Sequence, residues 1–193
     1  MANLTPEQSA RHNTLYKEGV GLIEGELVLG NFGPRVPKPG WFLRRRLRKA
    51  IRCFVQVVEI NPANWNAMWL MGKVYHRLDD REESLHWFRE AHRINPEQPD
   101  VAREAGIAAL DLGEGNLGLE FCKAAVAMAP NDPGLVANLA LAYLISGDVK
   151  QAKETAQLAV ERNPKDIVSQ NVLKLIEKVA SGARRIPNSM REL

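Results

Sequence analysis

Acidic residues are absent from one long stretch of this 193-residue chain, Leu27 to Val58, although Arg35, Lys38, Arg44, Arg45, Arg46, Arg48, Lys49 and Arg52 all fall inside it. The chain as a whole carries only +3, so this basic block is balanced elsewhere and marks either a solvated face or a contact with something anionic. No run approaches the ~18 consecutive apolar residues that a membrane-spanning helix needs. The first residues lack a basic region followed by an apolar one, so a secretory signal is not expected and the cytoplasm is the default compartment. Cysteine is scarce, at two residues (Cys53 and Cys122), with no C-x-x-C pair, and buried reduced thiols are expected. There is no H-E-x-x-H, no glycine-rich phosphate loop and no nucleophile elbow. His86 and His92 are six residues apart, about 240° round a helix, so they diverge and make a poor metal pair. These absences argue against an enzyme, a metal, a cofactor or a small-molecule substrate.

What is present is a period. Pro62, Pro96, Pro130 and Pro164 recur every 34 residues, and three of them follow an asparagine (Asn61, Asn95, Asn163). A fixed period of about this size denotes stacked copies of one helix–turn–helix unit. Side-chain sizes keep the same register: Gly72, Gly106 and Ala140, then Ser84, Gly118 and Ala152, then Phe88, Cys122 and Ala156, then Ala91, Ala125 and Ala159. Small residues where helices cross let backbones approach, and the larger ones fill the space beside them. Local signals agree. Asp80 with Glu83, and Thr5 with Gln8, have capping-box spacing, Asp132-Pro133 suits a helix start, and Gly113 and Gly147 occupy equivalent turns, the second before Asp148.

Met68-x-x-Met71-Gly72-x-x-Tyr75, followed by Ser84-x-x-x-Phe88, Ala91 and Pro96, resembles the tetratricopeptide repeat (TPR), with methionine in place of its tryptophan and leucine. The resemblance implies an all-α, right-handed solenoid of helix–turn–helix repeats over 65–98, 99–132 and 133–166, closed by a capping helix at 167–180. Residues 181–193 show no apolar period and are expected to form a mobile tail. Upstream, Ala50, Phe54, Val57 and Pro62 reproduce the second half of a repeat, and Leu15, Gly19 and Leu22 the first. Gly19 and Ala50 are 31 residues apart where Gly72 and Ser84 are 12 apart. Residues 1–64 thus read as an irregular unit with a proline-rich basic insertion at about 30–43, extended over Asn31–Gly40.

Members of this family line the first helices of their repeats along a concave groove and bind peptides or helices there. On the helical wheel the corresponding residues are Asn66, Trp69, Lys73 and Arg77, then Arg103, Glu104 and Ile107, then Ala137, Leu141 and Ile145. Trp69, Ile107 and Leu141 are expected as apolar anchors, and Lys73, Arg77, Arg103 and Glu104 as groups that orient a guest. The groove reads as a scaffold or adaptor surface for another protein, unless the chain's own N-terminal helix, insertion or tail fills it. Self-association through the open ends of the stack is a further arrangement. The clamp that grips chaperone carboxylates in some relatives would fall on Trp69, Lys73, Glu104, Gly134 and Asn138, and is largely missing. The alternative surface is Arg44, Arg45, Arg48, Lys49 and Arg52, opposite the apolar Leu43, Leu47, Ala50, Ile51, Phe54, Val57 and Val58, with Trp41 and Phe42 at its head. It would meet a nucleic-acid phosphate, an acidic protein or an anionic membrane surface.

Overall fold

The computed structural model describes residues 4–26 and 37–193. Most of the proline-rich stretch, 31–36, and Arg35 with it, lies outside the described residues. All described regular elements are helical, and the chain divides into two compact units, Met1–Pro96 and Glu97–Leu193.

Unit 1 holds α1 (Pro6–Ile23), α2 (Trp41–Ile60), α3 (Trp65–Leu78) and α4 (Arg81–Ile94), each packed on the next up to the α3–α4 pair. The first begins at a reciprocal cap: Gln8 N–H donates to Thr5 Oγ1 at 3.2 Å, and Thr5 N–H to Gln8 Oε1 at 2.9 Å. Asp80 and Glu83 make only half of such a box. Asp80 accepts weakly from Glu83 N–H at 3.5 Å, while the Glu83 carboxylate accepts from Trp87 Nε1 at 3.1 Å. The Asp80 N–H that would complete the box donates instead to Tyr75 O at 3.0 Å, in the turn that ends α3. The α2 helix starts at Trp41, so the last three residues of the expected insertion are helical, and it buries Leu47, Ala50, Ile51, Cys53, Phe54 and Val57.

The expected crossings are present in both repeats of this unit. A Cβ added at Gly19 would lie 2.7 Å from the Phe54 ring, and one added at Gly72 would lie 2.6 Å from the Phe88 ring. Glycine is therefore required at both places by space, since each ring occupies the volume a methyl would need. Behind the second crossing, buried Ser84 donates its hydroxyl to Gly72 O at 2.9 Å.

Unit 2 holds α5 (Pro99–Asp111), α6 (Gly115–Met128), α7 (Pro133–Ile145), α8 (Val149–Arg162) and α9 (Ile167–Ala180), followed by a short 3-10 helix at Met190–Glu192. The turns use the expected chemistry. Gly113 and Gly147 take φ of +79° and +93°, and Asp132, Asp148 and Asp166 each cap a helix through a side-chain oxygen. The α7 helix is apolar on nearly every side because α5, α6, α8 and α9 all pack against it. Val136, Ala137, Ala140, Leu141 and Leu144 join Ala152, Ala156 and Ala159 of α8 and Val172, Ile176 and Val179 of α9 in one buried cluster. The tail expected to be mobile follows a definite path. Pro187 is buried, and Met190 and Leu193 pack on that cluster. These three apolar residues are three apart, a spacing too short to register as a helical period.

Candidate functional site

The surface to test is the face of each first helix that turns away from its own repeat partner. In unit 1 that helix is α3. Trp69 and Arg77 are half-buried, and the Trp69 indole N–H and the Arg77 Nε–H are shielded from solvent with no hydrogen-bond acceptor. Lys73 is buried at 6% exposure, with its ammonium 4.5 Å from the Trp69 ring centroid. A cation at that distance is held by the ring's negative face, which fixes the indole in place. Asn66 is half-buried on the same helix. This face therefore offers an anchored aromatic plate and two N–H donors with unused capacity.

In unit 2 the expected residues fall into two groups. Arg103 is engaged by its own helix, Nη1 meeting Asp100 Oδ1 at 2.7 Å and Nη2 meeting Glu104 Oε1 at 3.2 Å, while its Nε–H, like that of Arg77, is buried with no acceptor. Ile107, Ala137 and Leu141 are all buried, the last two fully, whereas Ile145 is half-buried. Ile107 and Leu141 were expected as open anchors. Leu141 and Ala137 lie instead inside the cluster built with α8 and α9, against which Met190 and Leu193 also pack. A helical wheel reports which residues share a face and says nothing of what lies upon it. What lies on Leu141 and Ala137, α9 and the segment after it, is the component that the wheel does not reveal.

The basic face of α2 is partly neutralised. Lys49 Nζ meets Glu18 Oε1 at 2.8 Å, which raises the lysine above its ordinary range, and Arg46 pairs with Glu26. Half-buried Arg44 donates from Nε to Pro39 O at 3.2 Å. The Arg45 guanidinium lies 5.8 Å from the Trp41 ring centroid. Arg48 and Arg52 are exposed, and make no ion pair among the described residues. Trp41 is 65% and Phe42 81% exposed at the head of this row.

The remaining chemistry-bearing groups form no centre. Among the described residues no three His, Cys, Asp or Glu side chains come together as metal ligands. Burial raises the Cys122 thiol to about 12 and also raises Cys53, while it lowers half-buried His92. A thiol so shifted is protonated at neutral pH and a poor nucleophile. Among the described residues no helix is long and apolar enough to cross a membrane.

Paired antiparallel helices at a 34-residue period, with a small residue at each crossing, define a helical-repeat protein. Two family models described as Tetratricopeptide repeat match residues 44–99 and 109–176. The chain belongs to the tetratricopeptide repeat family. Solved structures share the fold. They include MamA from Desulfovibrio magneticus RS-1 (TM-score 0.68, 19% identity, 93% of this chain and 88% of that one). YrrB, described as a TPR protein with an unusual peptide-binding site, matches with TM-score 0.62 and 19% identity over 73% and 72%. The first TPR of Spaghetti (RPAP3), solved with an HSP90 peptide, matches with TM-score 0.56 and 16% identity over 61% and 93%. A curated relative, the transcription factor tau 131 kDa subunit of Saccharomyces cerevisiae, is 28% identical over 65 residues, 34% of this chain. The chain spans only 6% of that relative's length.

Proposed function

We propose that this protein is an interaction scaffold that receives a peptide or helical segment of a partner protein against the free faces of its first helices. One observation carries the reading: α3 holds an indole N–H and a guanidinium Nε–H out of water with no acceptor, beside a ring fixed by Lys73. Buried donors left unpaired cost stability, about 1–3 kcal/mol each, and a guest that turns these side chains outward and supplies carbonyl or carboxylate oxygens would recover it. Trp69 would be the aromatic anchor, and Asn66, Lys73 and Arg77 would set the guest's direction. The peptide-bound and peptide-binding neighbours in the same fold support protein partners in general. Arg103 and Glu104 are paired with each other, and Glu104 disfavours an acidic tail near α5. Self-association through the ends of the repeat stack belongs to the same reading.

Selection of displayed peptides against the full chain tests this. Recovered sequences should lose about tenfold in affinity with Trp69→Ala or Arg77→Ala, judged by calorimetry on folded variants. Peptides that bind both variants as they bind the parent would remove α3 from the site.

A second reading keeps the anionic contact at α2, favoured by the exposure of Trp41 and Phe42 beside Arg45, Arg48 and Arg52. Binding of anionic vesicles or nucleic acid should then weaken steeply as salt rises to physiological strength. Binding insensitive to salt would end it.

A further inference from the structure

We infer that the C-terminal ends of α5 and α7 form a peptide site already occupied by the chain's own residues 184–193. The external ligand of that site is then a short segment with apolar side chains three residues apart. This rests on the reading that first-helix faces receive peptides, and adds what the unit 2 face takes and what controls access to it.

The occupant's path is defined at both ends. Gly182, at φ +76°, turns the chain out of α9, and Arg184 N–H donates back to Lys178 O at 3.0 Å. The segment then reaches the turn after α5, where Asn188 O lies 3.3 Å from the position a Cβ on Gly113 would take. The 3-10 helix Met190–Glu192 packs on α5. Met190 touches two clusters, one built on Leu110, Cys122 and Ala142, the other on the α7, α8 and α9 residues that include Leu141. Leu193 packs on the second.

Several of the segment's polar bonds close on the segment itself. Arg184 donates to the carbonyls of Glu192 and Leu193, Arg185 pairs with Glu192 at 3.4 Å, and Asn188 N–H donates to Glu192 Oε2 at 3.2 Å. What it presents to the helices is apolar: buried Pro187 and half-buried Met190 and Leu193, at positions i, i+3 and i+6. An occupant closed on itself by these bonds and seated on the two clusters through apolar side chains can be exchanged for another of the same pattern. Its advantage is the tether, which holds it at high effective concentration. Weakening the tethered copy therefore raises the apparent affinity for a competitor, because a larger fraction of the protein is competent to bind.

The experiment uses a fluorescently labelled synthetic peptide of residues 184–193 as probe. Its anisotropy is titrated with the full chain and with the full chain carrying Met190→Asp and Leu193→Asp. The variant should bind at least about tenfold more tightly than the parent. A probe carrying the same two substitutions should bind neither. Circular dichroism and a thermal melt establish folding. Should the Asp variant fail to fold, Arg184→Ala with Glu192→Ala loosens the segment's internal closure without adding charge at the helices, and the same shift is expected. Equal affinity in parent and folded variant would overturn self-occupancy while leaving a peptide site on this face. No binding to a folded variant would overturn the site itself, while peptides selected on α3 would still decide the broader scaffold reading independently.

Discussion

In unit 1 the crossing within each repeat is a glycine beneath a phenylalanine ring, at Gly19 with Phe54 and at Gly72 with Phe88, whereas unit 2 uses Gly106 with Cys122 and Ala140 with Ala156. The second unit closes the gap from elsewhere: Leu110 reaches over Gly118, its Cδ2 2.5 Å from where a Cβ would stand. The repeat thus fixes the combined volume at a crossing and leaves open which helix supplies it. That freedom is why the 34-residue register survives while individual residues at a position range from glycine to serine or from alanine to phenylalanine.

The most severe break in this comparison is Phe88→Ala, which empties a fully buried site and should cost about 3–5 kcal/mol in urea unfolding. Gly72→Ala alone should cost about 1–3 kcal/mol by forcing the ring aside. The double variant recreates the Ala140–Ala156 pairing, so its loss should fall short of the sum by about 0.5–3 kcal/mol. Strict additivity would show that the two positions do not share one volume.

Ser84→Ala removes a hydrogen bond that unit 2 does without, since Gly118 and Ala152 stand at the matching positions, and should cost about 1 kcal/mol. Thiol chemistry distinguishes the units differently. Cys122 has its thiol raised to about 12 in the folded chain, so the unfolded chain ionises first as pH rises. Its contribution is present below the ordinary thiol range near 9 and is lost as pH climbs from there toward 12. Chemical denaturation from pH 8 to 10.5 should show stability declining in the parent more than in Cys122→Ala, and a flat difference would contradict the shift.

The smallest expected effect concerns the turn after α3. Asp79 takes φ +67° where the equivalent residues 113 and 147 are glycine. Its carboxylate meets Arg81 at 2.7 Å and Lys38 at 3.4 Å. Asp79→Ala loses those partners while keeping the strained backbone, and should cost about 1 kcal/mol. Asp79→Gly relieves the backbone, and its melting temperature should lie above that of the alanine variant. The reverse order would mean that the positive φ does not strain the alanine variant, since neither variant keeps the ion pairs.

The fold was legible because its determinants are local or periodic. Prolines at 62, 96, 130 and 164, small residues at crossings, and aspartates at helix starts each declare themselves within a few residues. The glycine at 19 beneath Phe54 was readable for the same reason, despite the long insertion between them. The candidate site was legible only in part. Trp69 and Arg77 keep unpaired polar atoms, yet Leu141 and Ala137 are buried in a cluster completed by α8, α9 and the segment beyond them. Which non-local segment covers a helix depends on tertiary path, and no amphipathic period records it. The half-formed box at Asp80 has a milder reason: the Asp80 N–H is taken by Tyr75 O in the turn before it, which the spacing does not record, and the Glu83 carboxylate accepts from the Trp87 indole.

The apolar circumference of α7 has a consequence for how the chain is made. A helix with α5, α6, α8 and α9 against it has no surface suited to water, and two of those neighbours are synthesised after it. A nascent chain in which α7 has emerged from the ribosome while α9 and the 187–193 segment have not would expose Leu139, Leu141, Leu144 and Ile145 together. Nascent chains of intermediate length should therefore be the ones that engage chaperones, and truncation after α8 should yield an aggregating product, whereas completion of the last thirty residues converts the most adhesive helix of the molecule into its best-protected one.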